Sequence, residues 1–338
     1  MNFNFLKRKN ILVTGGTGSF GKTFIKEVIR RNVDFETIKV FSRDEAKQHD
    51  LRTELNDPRV NFIVGDVRDE GSLMSAMNNV DYVFHAAALK QVPSCEFFPN
   101  EAVMTNIMGS YNVAKSAIKN NVKKCIFLST DKAVYPINSM GATKFLMEKL
   151  TSSFFANDSK TQFSVTRYGN VLASRGSILP NLASRIRANQ EVFLTHEKMT
   201  RYVMTLTESI DLVLYALSNN NKGLYVYLPR SALIKDMISA MFKYLGKKTK
   251  VVNIGIRHGE KINESLITIE ELAKIEQLSK NFFYVKPDER SLNYEDYFDN
   301  GDLKDNYCVQ AEPLLSSDNA KTRLNVDQLV KLYEEIGI

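Results

Sequence analysis

Near the start of the chain, Ile11-Leu12-Val13-Thr14 forms an apolar run with no polar alternation, and it ends on Gly15-Gly16-Thr17-Gly18-Ser19-Phe20-Gly21. A strand that is apolar on both faces must be covered on both faces, which places it inside a parallel sheet. Residues 20–31 then repeat apolar side chains at helical spacing. Strand, glycine turn and helix in that order are the parts of a dinucleotide-binding βα unit. Gly15 permits the tight turn, Gly18 lets the backbone approach a pyrophosphate, and Gly21 lets the helix pack closely on the strand. The pyrophosphate is expected at the helix N-terminus, beside Thr17, Ser19 and Phe20, where N–H groups and the helix dipole favour an anion.

The same alternation continues. Short apolar runs at residues 37–41, 61–64, 82–85, 124–129 and 163–167 are separated by helical patterns such as 101–120. This predicts an α/β chain, a Rossmann-type doubly wound parallel sheet with helices on both faces. After Tyr168 the pattern changes, with helices expected at 178–188, 207–218 and 233–245. We therefore divide the chain into a dinucleotide-binding and catalytic part, 1–168, and a smaller mixed substrate-binding part, 169–338, with segments free to cross between them. The stretch from Lys286 to Leu315 has no clear period, and it reads as a flap, an arm towards a neighbouring subunit or a surface tail.

Composition narrows the function. The 338 residues suffice for a large core, and the net charge of +6 is modest. No basic patch with interleaved aromatics marks a nucleic-acid surface. No apolar run of about 18 residues marks a membrane span, and the first residues lack a signal-peptide core. Cys95, Cys125 and Cys308 have neither metal-ligand nor disulfide spacing, and the four histidines are scattered. A cytoplasmic protein without a metal site is expected.

The end of the second strand bears on the cofactor. Ser42 and Arg43 stand where an NAD site usually has an acid, and Lys47 follows one helical turn later. A hydroxyl and cations suit a 2′-phosphate, so NADP is expected, with Asp44 leaving NAD open. Asp66 and Val67 follow the third strand, where the adenine should lie. The small residues Ala86 and Ala87 after the fourth strand leave room for the cofactor, and Lys90 lies just beyond. His85 reads as a packed strand-end residue.

Chemistry in such a sheet belongs at the carboxyl ends of the strands. The fifth strand delivers Ser129-Thr130-Asp131-Lys132 there, and Met140 and Lys144 share one helix face at i, i+4 spacing. At this point the chain resembles an extended short-chain dehydrogenase/reductase, and more narrowly the inverting UDP-N-acetylglucosamine 4,6-dehydratases of capsule and O-antigen (polysaccharide) biosynthesis. The segments that carry the resemblance include Phe84-His-Ala-Ala-Ala-Leu-Lys-Gln-Val-Pro-Ser-Cys-Glu-Phe-Phe-Pro99, Ser129-Thr-Asp-Lys-Ala-Val-Tyr-Pro-Ile-Asn138, residues 167–176 and residues 257–260.

The resemblance implies a tightly bound, regenerated NADP and a UDP-N-acetylglucosamine substrate. The expected reaction is C4 oxidation, loss of water across C5 and C6, hydride return to C6 and inversion at C5. It implies Lys132 as the base at C5, with its amine pushed down by burial and by Lys144, and Asp131 as the acid for the departing hydroxyl. Lys144 would hold the nicotinamide ribose. Met140 stands where the superfamily has tyrosine, and a thioether cannot exchange a proton. Lys132, Thr130 through water, or Tyr135 are the candidates for the C4 base. Lys90, Glu96, Asn170, Arg175, Arg201, Arg257 and Glu260 are the expected substrate contacts, although Glu96 equally suits a helix cap. Homo-oligomers, hexamers included, are expected from the family. A sugar-nucleotide 4-epimerase, a retaining dehydratase and a catalytically silent NADP-binding protein remain the alternatives.

Overall fold

The structure is a computed structural model and describes residues 4–154, 160–174, 176–272, 274–287 and 315–338. Its centre is a nine-stranded sheet. Six strands come from the first half: β1 (Asn10–Thr14), β2 (Thr37–Ser42), β3 (Val60–Val64), β4 (Tyr82–His85), β5 (Lys124–Leu128) and β6 (Gln162–Arg167). All pair in parallel, in the order β3-β2-β1-β4-β5-β6. The order reverses between β1 and β4, and a crevice opens there at the strands' carboxyl ends.

The strand cores follow the sequence closely. Ile11, Leu12 and Val13 are fully buried, as an apolar central strand demands. Helix Ser19–Arg30 buries Gly21, Phe24, Ile25 and Val28 along one stripe, the spacing of an amphipathic helix on a sheet. Helix Glu45–Leu55 begins where the Asp44 carboxylate accepts the Lys47 N–H at 3.0 Å and ends on left-handed Asn56. The expected single helix over 101–120 is instead three pieces, with a π-helical stretch at Val103–Met108 between Pro99–Ala102 and Gly109–Lys119.

The second half does not stay apart from the sheet. After two short strands, β7 (Val192–Leu194) and β8 (Thr200–Val203), strand β9 (Gly223–Tyr227) joins parallel to β6. Strands β10 (Arg230–Leu233) and β11 (Val251–Asn253) pair with β8 and β7. The chain then adds β12 (Ile275–Gln277) and β13 (Phe282–Val285) as an antiparallel edge. Helix Leu206–Ser218, opened by a Thr205–Glu208 capping box, packs beside Ser19–Arg30 on the sheet. Three sheet strands and one covering helix thus come from beyond Tyr168. A separate core forms from helices Ile178–Arg187, Ile234–Leu245 and Val326–Ile336.

Of the stretch from Lys286 to Leu315, residues 288–314 lie outside the described residues. Lys286 pairs with Glu276, and buried Leu315 offers its carbonyl to Tyr202 Oη. No helix among the described residues is long and apolar enough to cross a membrane.

Candidate active site

A cleft of about 1700 Å³ runs along the carboxyl edge of the sheet. Thr17, Ser19, Phe20, Ser42, Arg43, Lys47, Asp66, Val67, Ala86, Ala87 and Lys90 line it on one side, and Thr130, Lys132, Met140, Lys144, Asn170, Arg201, Arg257 and Glu260 line it further along. Arg175 lies outside the described residues. Asp131 is fully buried behind the wall, and Gly21 packs helix against turn, since a Cβ there would stand 2.5 Å from Gly16 Cα.

The glycine-turn end of the cleft is shaped by backbone. Gly15 has φ +65°, and a Cβ on it would meet Ala87 N at 2.7 Å. Any side chain there would be strained and would close the gap between the β1 and β4 ends. Gly18 stands at the N-cap of Ser19–Arg30, which has no side-chain cap hydrogen bond, and a helix N-terminus favours an anion. Arg43 is half-exposed, with Nη1 3.7 Å from Asp66. Burial alone would raise the Asp66 carboxyl, but hydrogen bonds from Arg68 hold it below its usual range. Ser42 Oγ accepts the Gln48 amide at 2.9 Å, which leaves its hydrogen for an acceptor in the cleft. Asp44 is engaged by Lys47, through both its backbone N–H and its ammonium.

Lys144 is buried on helix Ser139–Ser153 and donates to Leu128 O at 2.7 Å. Burial pushes its amine down to about 8. Met140, one turn earlier, is almost fully buried against Cys95 and Ala102. His85 is packed as expected, between Thr14 Oγ1 at 2.7 Å and Ser110 Oγ at 2.9 Å, and burial keeps it neutral, near 3. Asn138 accepts the Gly141 N–H at the start of the Lys144 helix and donates to Gly259 O, both at 2.8 Å. Glu96 accepts the Ser139 N–H at 2.5 Å, so it caps this helix rather than the one that follows it in sequence. Its other oxygen lies 3.4 Å from His258.

The Asp131–Lys132 pair departs from expectation. Lys132 Nζ is 3.0 Å from Asp131 Oδ1 and 3.3 Å from Glu264 Oε1. Burial pulls the amine down, but these two carboxylates outweigh it and hold it above an ordinary lysine. The expected depression is therefore reversed. Thr130 Oγ1 also donates to Asp131 Oδ1, at 2.8 Å. Tyr135 is turned away: its backbone takes φ +44°, and its hydroxyl accepts from Ile269 N at 2.8 Å and donates to Glu270 at 3.2 Å. It does not line the cleft, which removes it as a C4 base.

Sequence reasoning missed two groups. Glu264 lies in a polar run with no period, and only the fold sets it against Lys132. Arg167, read only as a strand end, is buried in an ion cluster with Glu148 at 2.5 Å and Glu271 at 2.7 Å. Ser129 Oγ also donates to Glu148, so the cluster ties β5, β6 and the Lys144 helix together.

A doubly wound sheet with this glycine turn, and a buried lysine beneath the cleft, defines an extended short-chain dehydrogenase/reductase. The chain belongs to the family described as "polysaccharide biosynthesis protein", whose pattern matches residues 11–286. It is 46% identical over 329 residues to a UDP-glucose 4-epimerase of Rickettsia bellii (strain OSU 85-389), covering 96% of this chain and 95% of that one. The X-ray structure of Pen from Bacillus thuringiensis superimposes with a TM-score of 0.86 at 33% identity, covering 98% of this chain and 99% of that chain. The dTDP-glucose 4,6-dehydratase DesIV from Streptomyces venezuelae, with NAD and TYD bound, shares the fold at a TM-score of 0.68 and 19% identity, covering 75% of this chain and 86% of that chain. Sugar-nucleotide epimerases and dehydratases thus both occur on this fold.

Proposed function

We propose that this chain is an NADP-dependent UDP-N-acetylglucosamine 4,6-dehydratase that inverts C5. One observation carries the reading: the cleft wall holds an amine between two carboxylates, Asp131–Lys132–Glu264, while the tyrosine position is the thioether of Met140. A 4-epimerase moves a hydride at C4 and a proton at O4. A dehydratase must also take a proton from C5 and give one to the departing O6, and those are the tasks an adjacent amine and carboxyl perform.

The residues fit the cofactor. Gly15, Gly18 and the N–H groups of Thr17, Ser19 and Phe20 would hold the pyrophosphate, with Gly21 allowing the helix close. Ser42, Arg43 and Lys47 would hold the 2′-phosphate. Asp66, Val67, Ala86, Ala87 and Lys90 would flank the adenine and ribose, and Lys144 the nicotinamide ribose. When bound, the dinucleotide would supply hydride acceptance at C4 and hydride return at C6, with none consumed overall. Asp44 being occupied by Lys47 is what favours NADP over NAD.

The two proton steps of the elimination balance within the pair. At rest Lys132 is an ammonium and Asp131 a carboxylate. Passing one proton across 3.0 Å yields a free amine and a neutral carboxyl. The amine takes the C5 proton, the carboxyl protonates O6 as water leaves, and the resting pair is restored. Thr130, hydrogen-bonded to Asp131, would relay the O4 proton to solvent, and one solvent proton would return to C5 on the opposite face after C6 has received the hydride, so that water is the only net loss. Glu96, Asn170, Arg201, Arg257 and Glu260 would receive the sugar and diphosphate, and Asn170 Oδ1 is a buried acceptor with no partner among the described residues.

Buried free thiols at Cys95 and Cys125 fit a reducing cytoplasm. Phe97, Phe98, Met104, Met108 and Leu146 are large exposed apolar side chains and offer a face for the homo-oligomer.

The test is incubation of UDP-N-acetylglucosamine with the protein and catalytic NADP⁺ in deuterated water, read by mass and proton NMR. Loss of one water with deuterium at C5 and inverted couplings is expected, and Lys132→Ala should abolish it without loss of cofactor binding. Interconversion at C4 without water loss would replace the reading with a 4-epimerase.

A further inference from the structure

Glu264 is nearly the most buried acid in the cleft wall, at 2% exposure. It arrives from a different part of the chain than Asp131 and Lys132, on the segment after β11. Its backbone is fixed on both sides: Glu264 N donates to Ser317 Oγ at 2.8 Å, and Ser317 N donates to Glu264 O at 2.8 Å. Its Oε1 lies 3.3 Å from Lys132 Nζ and 3.9 Å from Arg201 Nε, and its Oε2 lies 3.8 Å from Lys261 Nζ. Oε2 makes no hydrogen bond among the described residues. A buried carboxylate serving only the fold is expected to have both oxygens satisfied. This one keeps an oxygen unspent in the wall of the reaction cleft.

We propose that Glu264 is a positioning residue that fixes the place and the charge state of Lys132, and so sets the pH range over which the free amine becomes available. This deepens the dehydratase reading and rests on it for the identity of the reaction. The charges facing Lys132 come from every element around it: Asp131 after β5, Arg201 on β8, and Lys261 and Glu264 on the segment after β11. Glu260 is engaged by Arg201 at 3.3 Å. Lys132, Arg201 and Lys261 thus face Asp131 and Glu264. Removing the Glu264 charge leaves those three cations facing one carboxylate, and the amine must then release its proton more readily. Burial raises the Glu264 carboxyl itself, against the pull of Lys132, so the two groups share a proton balance.

Competitive acetylation with acetic anhydride across a pH series, read at the Lys132 peptide by mass spectrometry, reports the amine directly in the full chain with and without NADP⁺. In Glu264→Gln the midpoint of Lys132 labelling should fall by about one pH unit or more, which is roughly tenfold higher reactivity at a fixed pH below the midpoint. The rising limb of kcat/KM against pH should move the same way. Glu264→Asp should restore most of the wild-type midpoint. Lys261→Met tests the opposite sign and covers a Glu264→Gln that fails to fold: loss of a competing cation should raise the Lys132 midpoint. Unchanged midpoints in folded Glu264→Gln, or in Lys261→Met, would overturn the proposal. A shifted midpoint in a protein that never releases water from the substrate would sink the dehydratase reading and leave the role of Glu264 standing.

Discussion

Replacing Lys144 by methionine should make the cofactor-free protein more stable at neutral pH, although it removes a group from the centre of the cleft. The amine is buried and titrates near 8 instead of the usual 10.5. A shift of about 2.5 units corresponds to about 3 kcal/mol by which the folded state disfavours the ammonium. The sign follows from proton counting: between the folded and unfolded values the unfolded chain binds more protons, so stability rises with pH across that window. Below about pH 8 the wild type carries the full cost. Lys144→Met removes it but leaves Leu128 O without its donor, a loss of about 1 kcal/mol. The variant should therefore be about 2 kcal/mol more stable at pH 7. Near pH 10 most of the cost has lifted from the wild type, and the two should be nearly equal. Urea unfolding of both proteins at pH 7 and pH 10, without dinucleotide, measures the difference. A variant that is less stable at pH 7, or a gap that does not change with pH, would refute the claim that burial stores this energy in Lys144.

Arg43→Ala should weaken NADP⁺ about 10-fold or more by titration while leaving NAD⁺ nearly unchanged, since a charge-assisted contact to phosphate is worth about 1.5–3 kcal/mol; equal losses for both would remove the 2′-phosphate role. Arg167→Met should cost about 3–5 kcal/mol in urea unfolding, because it strands Glu148 without its buried counter-ion, and a loss under 1 kcal/mol would show that Glu148 relaxes to water.

The sequence made the parallel half of the fold legible because its signal is local. Ile11-Leu12-Val13 needs no partner to read as a buried strand, and the spacing of glycines 15, 18 and 21 is a constraint on one turn. Strands β9, β12 and β13 were hidden because short runs such as Gly223–Tyr227 acquire meaning only from the edge they meet. The site divides in the same way. Thr130, Lys132, Met140 and Lys144 announced themselves through a strand end and one helix face. Glu264 did not, because its environment is made by Lys132, 132 positions earlier in the chain. The Lys132 amine runs against its expected direction for that reason, since burial is legible in the sequence and the second carboxylate is not. Tyr135 shows the converse: nearness in sequence to Lys132 suggested a role, and one left-handed backbone angle carries its ring elsewhere.

Asn138 divides its single amide between two tasks, its oxygen on the first turn of the Lys144 helix and its nitrogen on Gly259. The loop that carries Arg257 and Glu260 is thereby pinned to the helix that carries Met140 and Lys144. Were the loop to lift, the amide nitrogen would lose its acceptor, at about 1–3 kcal/mol if it stayed buried. The two ends of the cleft therefore share a common rivet, and any molecule that shifts the loop must also be felt at the foot of the helix.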